Sequence, residues 1–317
     1  MIDPNASEVR QTLAKLIEQQ HLNPSSIPEA IRLAELSPQP RQWQYFVSQL
    51  LLWFGSVAIA FGLIFFIAAN WQSMGHIAKF ALVESAIVLA IIAYVKFYQN
   101  KVIRQASLLV AMLFVGGLMA LFGQVYQTGA DPWQLFFNWA LLTTPWVFIS
   151  RQSLMWLFWL ALINLSISLY QNTFCGFLNL GLTLFLLNTL AFFLWQVAAF
   201  KINWLNKVWP LNVLALVSGY FGLWMFLEGL FDDKPLNILL WCLWAVAIYY
   251  VYRMRSLNMF MLAGWSLSIL VVSNALVIRL FSDALNTFSF LVLTSLTIGL
   301  GTYLSMWLKG LSKEAHV

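Results

Sequence analysis

Long apolar runs follow one another along most of this 317-residue chain. A helix needs about 17 to 25 predominantly apolar residues to cross the hydrocarbon core of a bilayer. A transmembrane barrel would instead show strands of alternating polarity, whereas these runs are continuous. The pattern therefore predicts an all-α polytopic membrane protein with about ten transmembrane helices, at residues 45–69, 77–98, 105–126, 133–150, 154–170, 175–199, 209–231, 236–252, 257–279 and 285–308.

The first 42 residues are polar and carry an amphipathic pattern instead. A helix ending near position 20 places its apolar residues on one face, namely Val9, Leu13, Leu16 and Ile17. A second short helix follows, with Ser26 and Glu29 spaced as a capping box. We expect a cytosolic helical hairpin over residues 1–42, stopped by Pro38 and Pro40, and a transmembrane domain over residues 43–317. The hairpin is either a cap on the membrane surface or a docking site for a soluble partner.

Composition sharpens this picture and excludes several classes of protein. Residues are 61% hydrophobic and only 9% charged, against about 25% charged in soluble domains. The basic residues lie singly in short loops, which does not suit a nucleic-acid groove, so no nucleic-acid partner is expected. The two cysteines, Cys175 and Cys242, lie far apart and predict no disulfide framework. The partner that this composition implies is the lipid bilayer itself.

The distribution of lysine and arginine predicts the orientation. With both termini in the cytosol, fourteen of the 17 basic residues fall on the cytosolic side, and only Lys79, Lys234 and Arg279 fall outside. The outer loops then carry four aspartates, Asp131, Asp232, Asp233 and Asp283. The positive-inside rule favours this topology over its inverse. A missed or split span among the fourth, fifth and eighth would invert every helix after it.

Two polar exits from apolar runs share the predicted outer side. The first span ends in Asn70 and Trp71, and the third passes from a glycine-containing run into Gln124, Tyr126 and Asp131. These exits suggest one outward-facing polar vestibule. The alternative is local, because Asn70 and Asp131 can cap helix ends while tryptophans occupy the headgroup region.

The same residues carry a resemblance to a known family. Ala-Ala-Asn-Trp closes the first span and Lys79 follows it, Gly116-Gly117 lies in the third, and Gly-Gln-Val-Tyr-Gln precedes Asp131-Pro132. With Trp139 and Pro145 in the fourth span, residues 8–150 resemble the bacterial membrane-protein family named domain of unknown function 2157. The resemblance implies a multi-pass protein of the bacterial inner membrane, and it brings no activity, substrate or catalytic residue. Residues 151–317 show only generic spans.

Acids within spans are the remaining candidates for chemistry. Glu84 lies about 12 Å into the second span, where a carboxylate needs a partner, a proton or water. Gln124 and Tyr126 are candidate partners by depth. Glu228 lies in the last turn of the seventh span, where we expect it to snorkel or cap. Four asparagines within spans are expected to join helices by hydrogen bonds, namely Asn164, Asn188, Asn212 and Asn274.

No catalytic motif or cofactor-binding loop occurs, so neither an enzyme nor a cofactor is expected. His21, His76 and His316 fall on different sides of the predicted membrane, which argues against a metal site. Two functions therefore compete. One is a transporter, permease or exporter component that uses the outer vestibule. The other is a non-catalytic scaffold or sensor that binds an envelope or cytosolic partner.

Overall fold

The computed structural model of the protein describes residues 4–19, 21–33, 40–174, 179–255, 257–281 and 286–314. These residues form helices and turns without a strand, which confirms the predicted all-α fold. The helices are α1 Pro4–Glu18, α2 Ile27–Leu33, α3 Pro40–Ala69, α4 His76–Lys96, α5 Lys101–Tyr126, α6 Pro132–Ser150, α7 Ser153–Phe174, α8 Leu180–Lys201, α9 Val208–Phe231, α10 Pro235–Tyr250, α11 Met259–Leu280 and α12 Thr287–Glu314. A short 3₁₀ turn precedes α2, and a π-helical turn follows α10.

Helices α3 to α12 correspond one by one to the ten predicted spans. Pro40 is the first residue of α3, a position that suits proline, so this helix starts before the predicted span and contains the predicted 42/43 domain boundary. Pro38, Cys175, Asp283 and His316 lie outside the described residues.

Nine helices in the described part of the chain are long and apolar enough to cross a membrane, and α6 is not among them. Polar residues such as Gln134 and Asn138 reduce its hydropathy. Even so, α6 runs antiparallel along α7. The Ser166 hydroxyl donates to the carbonyl oxygen of Trp133 at one end (3.2 Å), and the Trp159 indole donates to that of Ala140 further along (3.1 Å). A tenth crossing, by α6, therefore stays a prediction.

The chain divides into two compact units, residues 1–117 and 118–317, with the division inside α5. In the first unit, α4 buries one face that carries Lys79, Val83 and Ala90. Gly117 of α5 lies against Ile64 of α3, whose side chain would be 3.5 Å from a Cβ at the glycine. Helices α3 and α4 bury few of their residues, whereas most of the apolar stretch of α5 is buried.

In the second unit, side-chain hydrogen bonds join successive helices. Asn164 of α7 and Asn188 of α8 exchange amide hydrogen bonds, and the hydroxyls of Thr189 on α8 and Ser218 on α9 lie 2.8 Å apart. The Thr297 hydroxyl of α12 donates to Asn274 of α11 (2.9 Å). Three of the four asparagines therefore join helices as predicted. The exception is Asn212, whose buried Oδ1 has no hydrogen-bond partner.

Helices α9 and α10 are joined by close packing. Glycines on α9 leave room for bulky side chains of its neighbours. A Cβ at Gly222 would lie 3.0 Å from a ring carbon of Phe185 on α8. A Cβ at Gly229 would lie 2.8 Å from Cβ of Asn237 on α10. The rings of Phe226 and Trp241 meet with centroids 4.8 Å apart. These contacts form the centre of the apolar core of the second unit.

Candidate functional site

The first polar exit lies in the turn between α3 and α4. The Asn70 amide donates to the carbonyl oxygen of Phe66 (2.9 Å), so this side chain closes the C-terminal turn of α3. The ammonium of Lys79, whose side chain is only 3% exposed, lies 3.6 Å from the ring centroid of Trp71. Asn70 thus has a structural role, and Trp71 compensates part of the charge of a buried lysine.

Glu84 lies on a face of α4 that the protein does not bury. It is exposed, and it is about 140° around the helix from the buried Lys79, as the sequence predicts. The described residues of the first unit therefore do not enclose this carboxylate. In a bilayer, such a position needs a partner, a proton or water.

The second polar exit belongs to the other unit. Gln124 and Tyr126 are exposed at the end of α5, and Tyr126 contacts the ring of Phe122 (centroids 4.8 Å apart). Asp131 occupies the N-cap position of α6 without a side-chain capping bond. The predicted vestibule combines residues from both units, and it stays a prediction.

The predicted outer cations have electrostatic partners. Lys234 pairs with Asp232 (3.0 Å), and Arg279 of α11 pairs with Asp233 at the end of α9 (2.9 Å). Lys79 lies on Trp71, as described above. Each of the three basic residues predicted on the outer side therefore has a local electrostatic partner.

Glu228 differs from the expectation of a snorkelling side chain. Its Oε2 is buried without a hydrogen-bond partner, and it would lie 2.7 Å from a Cβ at Gly181 in the first turn of α8. Asn179 caps that helix by accepting from the amide of Leu182 (3.3 Å). Because Gly181 lacks a side chain, the carboxylate turns towards α8 instead of extending out of the helix end. The positive end of the α8 dipole favours this placement.

The second unit contains an apolar groove between α7 and α8, with a volume of about 510 Å³. We call it the α7–α8 groove. Its lining comes from α6, α7, α8, the segment after α8, and α9, and it includes five aromatic residues, Phe148, Trp156, Trp159, Trp195 and Trp204. Such a volume is typical of ligand pockets, which measure about 300–1,000 Å³.

Hydrogen bonds and ring contacts fix the aromatic walls. The Trp159 indole donates to the Ala140 carbonyl oxygen and to the Thr144 hydroxyl (3.0 Å), and the Trp195 indole donates to the Leu205 carbonyl oxygen (3.3 Å). The N–H groups of these two rings are satisfied within the protein, whereas the Nε1 of Trp156, which also lines the groove, is buried without a hydrogen-bond partner. The groove is consequently apolar along most of its length, with Arg151 at one end.

The groove exists because α7 and α8 meet over only a short stretch. Helix α6 packs along α7 and α8 packs along α9, whereas α7 and α8 make few backbone approaches. Two side-chain contacts hold this seam: the Asn164–Asn188 pair near the middle, and the Gln171–Thr183 hydrogen bond (3.1 Å) towards the other end. The groove occupies the remaining half, up to Leu160 and Leu187 beside the asparagines.

Arg151 lies at the open end of the groove, and among the residues that the structure describes it is the only charged one that lines the groove. It separates α6 from α7 and adopts the left-handed conformation (φ 48°, ψ 40°), which costs a non-glycine residue about 1–2 kcal/mol. Its side chain is exposed. Within the described ranges, no carboxylate lies within 4 Å of it.

The sequence predicted none of these groove residues as a site. They come from several helices, and on each helix they look like ordinary lipid-facing or core positions. The available signals were the tryptophans on both sides of Arg151 and Lys201, yet tryptophan is also typical of membrane interfaces. Only the packing of α7 against α8 distinguishes a groove from a filled seam.

These features define a polytopic α-helical membrane protein with a lateral apolar groove. Residues 14–156 match the model of a family described as "Predicted membrane protein", domain of unknown function 2157. The match confirms the resemblance seen in the sequence, and most of the groove lies beyond the matched residues. Neither a curated protein nor a solved structure matches the chain.

Proposed function

We propose that this protein is a transporter or permease component that moves a small molecule through its second unit. The observation that carries the proposal is the α7–α8 groove, which extends from the Arg151 end to the middle of the helices. A half-depth pocket beside a loosely packed seam supports access to a substrate from one side of the membrane. On the charge distribution, that side is the cytosol.

The packing also supports movement at this seam. The pairs α6–α7 and α8–α9 are each closely packed, whereas polar side chains bridge the junction between them. Small sliding of packed helices is a common form of conformational change. We infer that the two helix pairs shift relative to each other at the Asn164–Asn188 contact during transport.

A matched pair of leucines on α8 tests the proposal. Leu190 (57% exposed) lines the groove, whereas Leu186 (49% exposed) lies one turn away and does not. Tryptophan at position 190 fills the groove, and tryptophan at position 186 adds the same bulk outside it. The measurement is untargeted mass spectrometry of cells and medium from a deletion strain complemented with each variant.

We expect the deletion to redistribute at least one metabolite between cells and medium. The wild-type protein and Leu186→Trp should restore the distribution, and Leu190→Trp should not. If Leu190→Trp restores it fully, or if no metabolite is redistributed, transport through the groove is refuted.

The scaffold function is the second candidate, and the exposure of Glu84 favours it. An exposed carboxylate in the middle of α4 suits a contact within the membrane with a partner helix that carries a cation or an amide donor. In this case, Glu84→Leu should leave the purified protein equally or more stable to heat, yet fail to complement the deletion strain. Leucine at the neighbouring exposed position 81, as Ala81→Leu, is the control and should complement. Full complementation by Glu84→Leu would exclude the scaffold function of this face.

A further inference from the structure

The charge pattern of the α7–α8 groove indicates what kind of molecule fits it. Its walls are aromatic and aliphatic. The indole N–H groups of Trp159 and Trp195 are bonded within the protein, and the Nε1 of Trp156 is buried without a hydrogen-bond partner. A polar molecule would lose its hydration there and gain few hydrogen bonds in return. The body of the ligand must therefore be apolar.

The open end of the groove has the opposite character. Arg151 presents a guanidinium with five donors and, among the residues described, has no carboxylate partner within 4 Å. Its left-handed backbone is a strained conformation that glycine or asparagine would adopt more readily. Strain of this kind tends to occur at functional sites. A carboxylate is the natural partner of such a group.

The dimensions favour a single chain. On α8 the lining residues extend from Leu187 to Ala198, which corresponds to about 16 Å along the helix axis. An extended chain advances about 1.2 Å per bond, so this length accommodates an alkyl chain of about a dozen carbons. The partly exposed walls at Phe148 and Leu194 open the groove sideways, so that a chain can enter from the bilayer.

We propose that the α7–α8 groove binds a single-chain amphiphile with an acidic head, its tail between the aromatic walls and its carboxylate on Arg151. The inference rests on the proposed transport function and deepens it by naming the class of substrate. Arg151 is the residue that determines specificity. A two-chain membrane phospholipid, which would occupy any apolar groove by mass action, is the competing occupant.

The test uses the full-length protein in nanodiscs of zwitterionic phosphatidylcholine, with binding of tritiated dodecanoate measured by scintillation proximity. Dodecanol, which has the same tail without the charge, serves as a competitor. We expect dodecanoate to bind saturably and dodecanol to compete at least about tenfold more weakly, because hydrogen bonds to charged groups dominate the difference. Equal competition by dodecanol would overturn the proposal without the use of any variant.

Variants then locate the site. Arg151→Gln should weaken dodecanoate binding about tenfold to a hundredfold. Arg151→Gly should weaken it equally while relieving the left-handed strain, so that loss of binding with unchanged or higher thermal stability cannot come from unfolding. Arg41→Gln removes the same charge from an exposed position at the start of α3 and should bind as the wild type does. Unchanged binding by both Arg151 variants would overturn the role of this residue.

The tail position and the competing occupant are tested separately. Leu190→Trp should abolish binding, and Leu186→Trp should not. Displacement of dodecanoate by phosphatidylglycerol added to the nanodiscs would show that a phospholipid is the occupant and overturn the proposal. If dodecanoate binds but crosses vesicles that contain the protein no faster than protein-free vesicles, the ligand class stands and transport fails. If another molecule is transported and dodecanoate does not bind, transport stands and the ligand class fails.

Discussion

The amide pair between Asn164 and Asn188 provides the clearest prediction of stability. Asn188 is fully buried (0% exposed), and its amide donates to the Asn164 side chain and to the Leu184 carbonyl oxygen. The Asn164 amide donates in return to Asn188 (3.2 Å) and to the Leu160 carbonyl oxygen (2.8 Å). Leucine has the same number of side-chain heavy atoms as asparagine and the same branching, so Asn188→Leu removes the hydrogen bonds and keeps the outline of the side chain.

Two effects contribute to the expected loss. Hydrogen bonds between membrane helices are worth about 0.6–1.7 kcal/mol. Asn188→Leu also leaves the side-chain amide oxygen of Asn164, a half-buried residue within a span, without that partner, which costs about 1–3 kcal/mol. We therefore expect the free energy of unfolding to fall by about 2–4 kcal/mol. The double variant Asn164→Leu/Asn188→Leu removes both amides and should lose less than the sum of the single variants, by about 1–3 kcal/mol.

The assay is reversible unfolding of the full chain in mixed micelles by increasing dodecyl sulfate, followed by circular dichroism. Asn212→Leu is the control, because the Asn212 Oδ1 is buried without a hydrogen-bond partner. This variant should change the free energy of unfolding by no more than about 0.5 kcal/mol or increase it. Strict additivity of the two single variants would refute the reasoning, and so would an Asn188→Leu protein as stable as the wild type.

Two further predictions concern packing and topology. Gly229→Ala should destabilise the protein by about 1–3 kcal/mol through overpacking against Asn237, whereas Gly264→Ala, which meets no atom within 4 Å, should be neutral in the same unfolding assay. For topology, single cysteines are placed in a variant without native cysteines and treated in intact cells with an impermeant thiol reagent. We expect cysteines at Asn100 and Asn206 to be protected. Cysteines at Gln127 and Asp233 should be labelled. If α6 does not cross the membrane, the cysteine at Asn206 should instead be labelled and the one at Asp233 protected.

Sequence alone predicted the helices because apolar length and composition are local properties. It also predicted that asparagines within spans join helices, since an amide in hydrocarbon needs a partner. It did not predict the groove, because the groove depends on how closely α7 approaches α8. The distance between two helices cannot be derived from the hydrophobic pattern of either one. The same limit applies to Gly181, which looks like an ordinary small residue until Glu228 is found against it.

The two acids show why depth along a helix is a poor measure of environment. Glu84 lies deeper in its helix than Glu228 does, yet Glu84 is exposed and the Glu228 Oε2 is buried. The difference comes from the face of the helix that is covered, because Lys79 takes the buried face of α4 and Glu84 lies about 140° away. The exposed acid belongs to the first unit and the groove to the second. If both proposed activities exist, we expect Glu84→Leu to leave dodecanoate binding unchanged even where it abolishes complementation.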